Sequence, residues 1–512
     1  MASEFKQPLN PYLPSYEYIP DGEPYVFGDR VYVYGSHDKY NGDVYCELDY
    51  VCWSAPVNDL GDWRYEGVIF KKNQDPSNGE LDGNLYAPDV TVGPDGRYYL
   101  YYSLSSMGRV SVAVCDEPAG KYEYYGFVRY KDGTALGERE GDEPQFDPGV
   151  LTEGGVTYLY TGFCGPGDVN RHGAMLTVLD SDMLTVVKAP VFIAPGERYC
   201  RGTSFEEHPF FEAPSMRKAQ GRYYFIYSSV VNHELCYALG DSPEGPFEYG
   251  GVIVSNCDIG IDTYKKASMP SVPYANNHGS MEFINGEWYI FYHRHTNGHN
   301  YSRQGCIERI SISGDGSIVQ AEITSCQGTP LKGTGVYPAY IACSLYLSED
   351  ENRDDLNVYD VFKPRHMLIP WIGWLEDRYP RIVQDHSDVD PDEFDKISRP
   401  DIIDTSSGLD KGIHSYISNI RDGVVAGFKY FDIKGLKSIA IRAKGYGRGR
   451  MEIYASRRDE PGKRKLIGSI PVTSRNNFTR YEGNVDIEDG IYALYFVFRG
   501  ESNLHLLDFE LI

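Results

Sequence analysis

Cationic residues are scarce in this chain of 512: 49 Lys and Arg stand against 74 Asp and Glu, a formal net charge of −25. A nucleic-acid or anionic-membrane partner would require a basic face, so both are excluded as expectations. Long apolar runs are missing as well, and nothing approaches the ~20 residues that a spanning helix needs. The start, MASEFKQPLN, lacks the basic-then-apolar plan of a secretion signal. Met1 to Phe5 read as foreign to the rest, which leaves a removed leader open. No C-x-x-C pair occurs among ten cysteines, all of them between Cys46 and Cys343. Unpaired, strand-embedded cysteines suit a reducing compartment better than a disulfide framework. The expectation is a cytoplasmic protein, or a secreted one if a leader has been lost. Nucleophilic triads, phosphate loops and zinc-ligand spacings are also absent.

Helical periodicity is weak throughout. What the chain has instead is 44 Tyr, 54 Gly and 30 Pro on a 41% hydrophobic background, a turn-rich and β-rich composition. Its length leaves room for two or three domains.

Five segments share a turn followed by an aromatic strand. They are FGDRVYVYGSH from Phe27, PDGRYYLYYS from Pro94, EGGVTYLYTGF from Glu153, AQGRYYFIYSS from Ala219 and INGEWYIFYHR from Ile284. Matching tyrosines are Tyr32, Tyr99, Tyr158, Tyr224 and Tyr289, at intervals of 67, 59, 66 and 65 residues. Each interval holds about four short strands with their turns. A single period through five units predicts an all-β fold, a five-bladed β-propeller over residues 8–345 whose blades cover one another's edges. A Pro- and acid-rich stretch over 346–400, with SEDENRDD and SDVDPDEFD, reads as linker and loop. From 401 to 512 strand-like runs such as GFKYFDI, KSIAIRAK and IYALYFVFRG return at regular spacing, as in a β-sandwich.

A propeller gathers the first turn of every blade around one channel, so acids remote in sequence converge there. Asp21 precedes the first aromatic strand, Asp89 stands in NLYAPDV before the second, and Glu212 in FFEAPSMRK before the fourth. Alone, each has a plain reading, since Pro-Asp-Gly is a common turn. The aromatic-strand half of FFEAPSMRKAQGRYYFIY recurs along the chain, whereas its Glu-Ala-Pro half does not.

Together and in this order the three acids resemble those of glycoside hydrolase family 43, over about residues 8–345. The likeness extends to FDPGV at Phe146, SPEGPF at Ser242, and NNHGSMEF followed by YHRH at Tyr292. One departure is that relatives read Asp-Pro at the first acid, whereas here Asp21-Gly22 is followed by Glu23-Pro24, which keeps Glu23 as an alternative base. The resemblance implies single-displacement hydrolysis of a glycosidic bond. That chemistry needs one carboxylate to activate water and one carboxylic acid to protonate the leaving oxygen. It assigns Asp21 as base, Glu212 as acid, and Asp89 as the residue that positions the acid and raises its pKa by like-charge repulsion.

The resemblance also implies that His278 lies at the channel centre, often bound through water to a calcium-like ion, although alone Asn-Asn-His-Gly is a polar turn. Arg303 is implied to reach sugar hydroxyls, and Tyr86 to wall the sugar subsite or pack the blade. No cofactor is implied for the chemistry itself. The C-terminal runs resemble a family 6 carbohydrate-binding module, with packing against the propeller an equal alternative. The expected activity is that of an inverting exo-β-xylosidase or α-L-arabinofuranosidase acting on an oligosaccharide or polysaccharide. An endo-arabinanase, a galactan-directed hydrolase and a catalytically silent sugar-binding propeller are the alternatives.

Overall fold

The computed structural model describes residues 6–79, 83–261, 266, 268–348, 356–358, 379–385 and 414–512. Strands dominate, and five sheets follow one another in chain order. The first contains β1 (Glu23–Phe27), β2 (Arg30–Tyr34), β3 (Tyr50–Pro56) and β4 (Arg64–Phe70). The second contains β5 (Leu85–Val92), β6 (Tyr98–Leu104), β7 (Val110–Cys115) and β8 (Glu123–Phe127). The third contains β9 (Gly149–Glu153), β10 (Val156–Thr161), β11 (Gly173–Leu179) and β12 (Val186–Pro195). The fourth contains β13 (Phe210–Ala219), β14 (Arg222–Ser229), β15 (Glu234–Gly240) and β16 (Glu248–Ser255). The fifth has three strands, β17 (Met281–Ile284), β18 (Glu287–Arg294) and β19 (Gln304–Ile310).

Each sheet is an antiparallel meander in simple sequence order, the pattern of a propeller blade. The five tyrosines of the repeat fall on β2, β6, β10, β14 and β18, the second strand of every blade. First strands of neighbouring blades touch, β1 with β5, β5 with β9 and β9 with β13, and β17 returns to β1 to close the ring. Closure is reinforced by a parallel bridge between Gly22 and Gly279. The N-terminal segment also lies along β19. There the Asn10 side chain accepts from the Ile307 amide at 2.9 Å and donates to the Ile307 carbonyl at 2.7 Å, acting as a missing strand partner. The hydrophobic clusters sit between blades, and tyrosines such as Tyr34, Tyr101, Tyr160 and Tyr227 bury their rings there. Each of these four hydroxyls finds a backbone carbonyl, which removes the cost of burying it.

The remaining strands form two packed sheets. One has the order β20 (Leu331–Lys332), β25 (Val425–Ile433), β30 (Gly490–Glu501), β27 (Arg448–Arg457) and β28 (Lys465–Val472), with β22 (Ser344–Tyr346) also on β25. The other has the order β23 (Arg381–Asp385), β24 (His414–Ile420), β31 (Leu504–Leu511), β26 (Ser438–Gly445) and β29 (Arg475–Asn484), with β21 (Gly335–Pro338) also on β31. The sandwich expected from residue 401 therefore begins earlier. Leu331–Lys332, Gly335–Pro338 and Ser344–Tyr346 belong to its sheets, not to the propeller, and Arg381–Asp385 of the expected linker is one of its strands. Sequence missed these pieces because each is five residues or fewer and takes its pairing from strands that lie about 30 to 180 residues further along the chain. Most of 346–400 lies outside the described residues.

The two domains are bonded to each other. Lys429 is buried between Asp258 and Glu322, with both contacts at 2.7 Å. On the other sheet, the Gln384 amide donates to the Tyr40 hydroxyl and its side chain to the Tyr18 hydroxyl, each at 3.1 Å. None of the ten cysteines forms a disulfide. Among the described residues no helix is long and apolar enough to cross a membrane.

Candidate active site

The inner ends of the blades surround a cavity of about 360 Å³, within the usual range for small-ligand sites. Its carboxylates are Asp21, Asp147 and Glu212, and its cation is Arg303. Asp21 stands two residues before β1 and Asp147 two before β9, whereas Glu212 is the third residue of β13. All three depend on left-handed backbone that ordinary residues avoid. Asp21 has φ 58°, Asp147 has φ 47°, and Ala213, after Glu212, has φ 64°. On β13 this coincides with an irregularity in the pairing to β14 between Glu212 and Ser215. Such a bulge re-aims a side chain, here toward the channel.

Glycines set the approach of the inner strands. A Cβ on Gly149 would lie 2.2 Å from the Pro214 carbonyl oxygen, so only glycine lets β9 come this near to β13. The Asp147 carboxylate thereby reaches across blades and accepts the Ala213 amide at 3.3 Å. A Cβ on Gly279 would lie 1.9 Å from the Phe291 carbonyl oxygen, which fixes the residue after His278 as glycine.

Charge separates the three acids. Burial alone would raise the Asp21 carboxyl. Arg303, 3.1 Å away, outweighs it together with His293 and His278, and holds the group far below the ordinary carboxylate range. Glu212 has no such cation in contact. Burial first, then the charge of Asp21, push it up to about 8 against a weaker pull from Arg303. Burial and the neighbouring Glu212 and Asp21 raise Asp147 as well. At neutral pH the cavity holds an ionised Asp21, and Glu212 and Asp147 retain a proton between them.

Arg303 is clamped more than it is free. Its Nε and Nη2 donate to the two oxygens of Asp38 at 2.8 and 3.0 Å, and its guanidinium lies 4.8 Å from the centre of the Tyr45 ring. His278 has its Nδ1 at 3.9 Å from Asp21 and 3.8 Å from Asp147, too long for hydrogen bonds. Burial lowers its pKa to about 4, so it is a neutral imidazole at physiological pH. His293 ties the base in place, with Nε2–H donating to the Asn276 carbonyl at 2.8 Å and Nδ1 accepting the Asp21 amide at 3.4 Å. A run of rings completes the wall, edge-on from Tyr86 to Phe146 and from Phe146 to Phe163, each at 5.5 Å, and tilted from Phe163 to Phe211 at 5.3 Å. Tyr86 thus lines the cavity and packs a neighbour at once.

Five of the six expected site residues, Asp21, Glu212, His278, Arg303 and Tyr86, line this one cavity. Asp89 does not. It lies within β5, fully buried, and accepts from the Tyr25 hydroxyl, the Val90 amide and the Val150 amide, each at 2.7 Å. Tyr25 belongs to the first blade and Val150 to the third, so Asp89 is a tie between blades, and the third carboxylate of the cavity is Asp147. Its signal was in the sequence, since FDPGV puts an acid before a blade's first strand as YIPDG does. Glu23, the alternative base, also faces away. It is buried outside the cavity lining and accepts from Arg217 at 2.7 Å and Ser215 at 3.1 Å.

Calcium takes six to eight oxygens. His278 offers a nitrogen, and the Asp21 carboxylate beside it already receives Arg303. Among the described residues, His278 and its neighbours offer no set of direct oxygen ligands for calcium, so an ion here would be held through water, as the resemblance implied.

Residues 17–318, more than half the chain, match the model of Glycosyl hydrolases family 43. The chain belongs to that family. Over 508 residues this family 43 chain is 56% identical to a xylosidase/arabinosidase of Thermoclostridium stercorarium, covering 99% of each. A xylosidase/arabinosidase of Bacteroides ovatus is 29% identical over 349 residues, 61% of this chain and 97% of that one. Among solved structures, a family 43 arabinoxylan arabinofuranohydrolase from Bacillus subtilis in complex with cellotetraose aligns over 99% of each chain, at 20% identity and a TM-score of 0.49.

Proposed function

We propose that this glycoside hydrolase is a xylosidase/arabinosidase that removes terminal β-D-xylosyl or α-L-arabinofuranosyl residues by inversion. The observation that carries the mechanism is the contrast between Asp21, kept ionised by Arg303, and Glu212, kept protonated to about pH 8, across one ring-lined cavity. The sugar specificity is supported by the 56% identity with the Thermoclostridium enzyme along the whole chain.

Asp21 takes a proton from water as the water oxygen bonds to the anomeric carbon. The glycosidic C–O bond breaks on the opposite face, and Glu212 gives its proton to the departing oxygen. Asp147 takes the role expected of Asp89, a neighbouring carboxylate that keeps the Glu212 proton from leaving early. His278 and the Arg303 edge bind sugar hydroxyls, and the aromatic run covers the apolar ring face. A compact cavity favours release of terminal sugars over cleavage within a chain. Ten cysteines outside any disulfide favour a reducing, cytoplasmic setting, with secretion the alternative if a leader has been removed.

The decisive experiment incubates the enzyme with aryl β-D-xylosides and α-L-arabinofuranosides and follows the released anomer by NMR. An inverted first product is expected with either sugar. Release with retention would remove Asp21 as a base, and failure on both sugars would remove the specificity.

A further inference from the structure

The fourth blade, which carries Glu212, holds a second group of ligand-type side chains away from the cavity lining. His208 lies two residues before β13, and Glu234 and Cys236 stand on β15 two residues apart, hence on one face of the strand. One ligand atom from each residue falls within 4.8 Å of the others. The His208 Nδ1 lies 2.5 Å from Glu234 Oε1, and the Cys236 thiol 3.5 Å from the same oxygen. A third donor, the Ser229 hydroxyl at 2.6 Å, points at that oxygen too. Tyr249 stacks flat on the His208 ring, with centroids 4.7 Å apart and 8° between planes, and fixes its orientation. Cys236 is fully buried and Glu234 nearly so, while the His208 side chain is 26% exposed. The thiol and carboxylate are therefore buried, and solvent reaches the group beside the imidazole.

We infer that His208, Glu234 and Cys236 form a structural zinc site, with solvent as the fourth ligand on the open side. Thiolate, imidazole and carboxylate together suit zinc, and a thiolate ligand disfavours calcium and magnesium. Ligand bonds of ~2.0–2.3 Å place tetrahedral donor atoms ~3.3–3.5 Å apart, so the sulfur–oxygen separation is already right. His208 must move back from Glu234 by under ~1 Å, which its partial exposure allows. On binding, the Cys236 thiol loses its proton to solvent, and the imidazole proton moves to Nε2 so that Nδ1 can coordinate. Affinity therefore rises with pH. The ion would join the start of β13 to β15 and so brace the strand that presents Glu212 four residues on. It takes no part in the hydrolysis, and its failure would leave the proposed glycosidase activity untouched.

The test uses the full-length protein, stripped with chelator and dialysed against zinc in an excess of magnesium, which satisfies exposed carboxylates. One zinc per chain and a higher Tm are expected, and cobalt(II) in its place should show a thiolate-to-metal charge-transfer band. His208→Gln, at a partly exposed position, should lose the bound zinc and the Tm rise while folding normally. Cys236→Ser should lose the charge-transfer band. Cys115→Ser, in another blade, should keep both. No stoichiometric zinc uptake, a cobalt complex without a thiolate band, or undiminished binding by His208→Gln would each overturn the site.

Discussion

The amide of Ala213, the residue after Glu212, donates to Asp147 at 3.3 Å, and this bond joins the third blade to the fourth at the reacting centre. A hydrogen bond to the charged form pulls the Asp147 carboxyl down, but burial, Glu212 and Asp21 outweigh it and hold the group well above the ordinary carboxylate range. Glu212, raised by burial and by Asp21, stands beside it, so the two buried acids keep a proton between them. The bulge that gives Ala213 its positive φ is what turns both the Glu212 side chain and this amide inward.

Leaving-group dependence tests the acid. A dinitrophenolate departs without help, whereas a sugar alkoxide does not. Glu212→Ala should lose on the order of 10²–10⁴-fold in kcat on xylo- or arabino-oligosaccharides and far less on a dinitrophenyl glycoside. Asp21→Ala removes water activation and should lose heavily on both. Equal losses for Glu212→Ala on the two substrates would show that the acid lies elsewhere.

Asp147 and Asp89 can be told apart by pH profile. Glu212 works only when protonated, so activity falls as pH rises through its pKa. Asp147→Asn removes a neighbouring charge, lowers that pKa, and should move the alkaline limb of kcat/KM down by about one unit. Asp89→Asn should leave the limb in place and instead lower Tm, because a neutral amide replaces a buried acceptor of three bonds. A limb that moves with Asp89→Asn and not with Asp147→Asn would reverse the two roles.

The acidic limb belongs to Asp21. The base works only when ionised, so activity is lost as pH falls through its pKa, which Arg303 holds far down. Arg303→Met deletes that cation, and the acidic limb should appear at higher pH, with kcat at its optimum also reduced. An acidic limb unmoved in Arg303→Met would assign it to another group. Asp38→Asn is a milder version, since it loosens the clamp on Arg303 without removing the charge.

How much of this could be read from sequence follows from what each feature depends on. The blades were legible because a repeated turn and aromatic strand is local, and the matching tyrosines all fall on second strands. Asp21 and Glu212 were legible by position relative to those strands. Asp89 misled because the Ala-Pro-Asp motif fixes the residue but not its facing. Within β5 its carboxylate turns between blades to Tyr25 and Val150, a direction set by partners 64 and 61 residues away. The clamp of Asp38 on Arg303 spans 265 residues, and the short sandwich strands before residue 347 exist only through pairing with the distant β25 and β31. Such features are tertiary, and no local pattern encodes them.

The sandwich is either a tethered module or part of one folded unit with the propeller, and Lys429 distinguishes the two. Lys429, on the sandwich strand β25, is 1% exposed between Asp258 and Glu322 of the propeller side. Breaking a buried pair from one side leaves the other charges without compensation, which typically costs about 3–5 kcal/mol. Lys429→Met should therefore lower Tm markedly and split the calorimetric transition, with the sandwich melting first. Adding Asp258→Asn should recover part of the loss, because the uncompensated charge is gone while the bond from the Ile323 amide to Oδ1 at 2.9 Å can persist. Activity on an aryl glycoside at low temperature should change little, since Lys429 does not line the cavity. A Lys429→Met protein that melts as the wild type does would mean that this contact does not hold the domains together, and that the sandwich acts as an appended module.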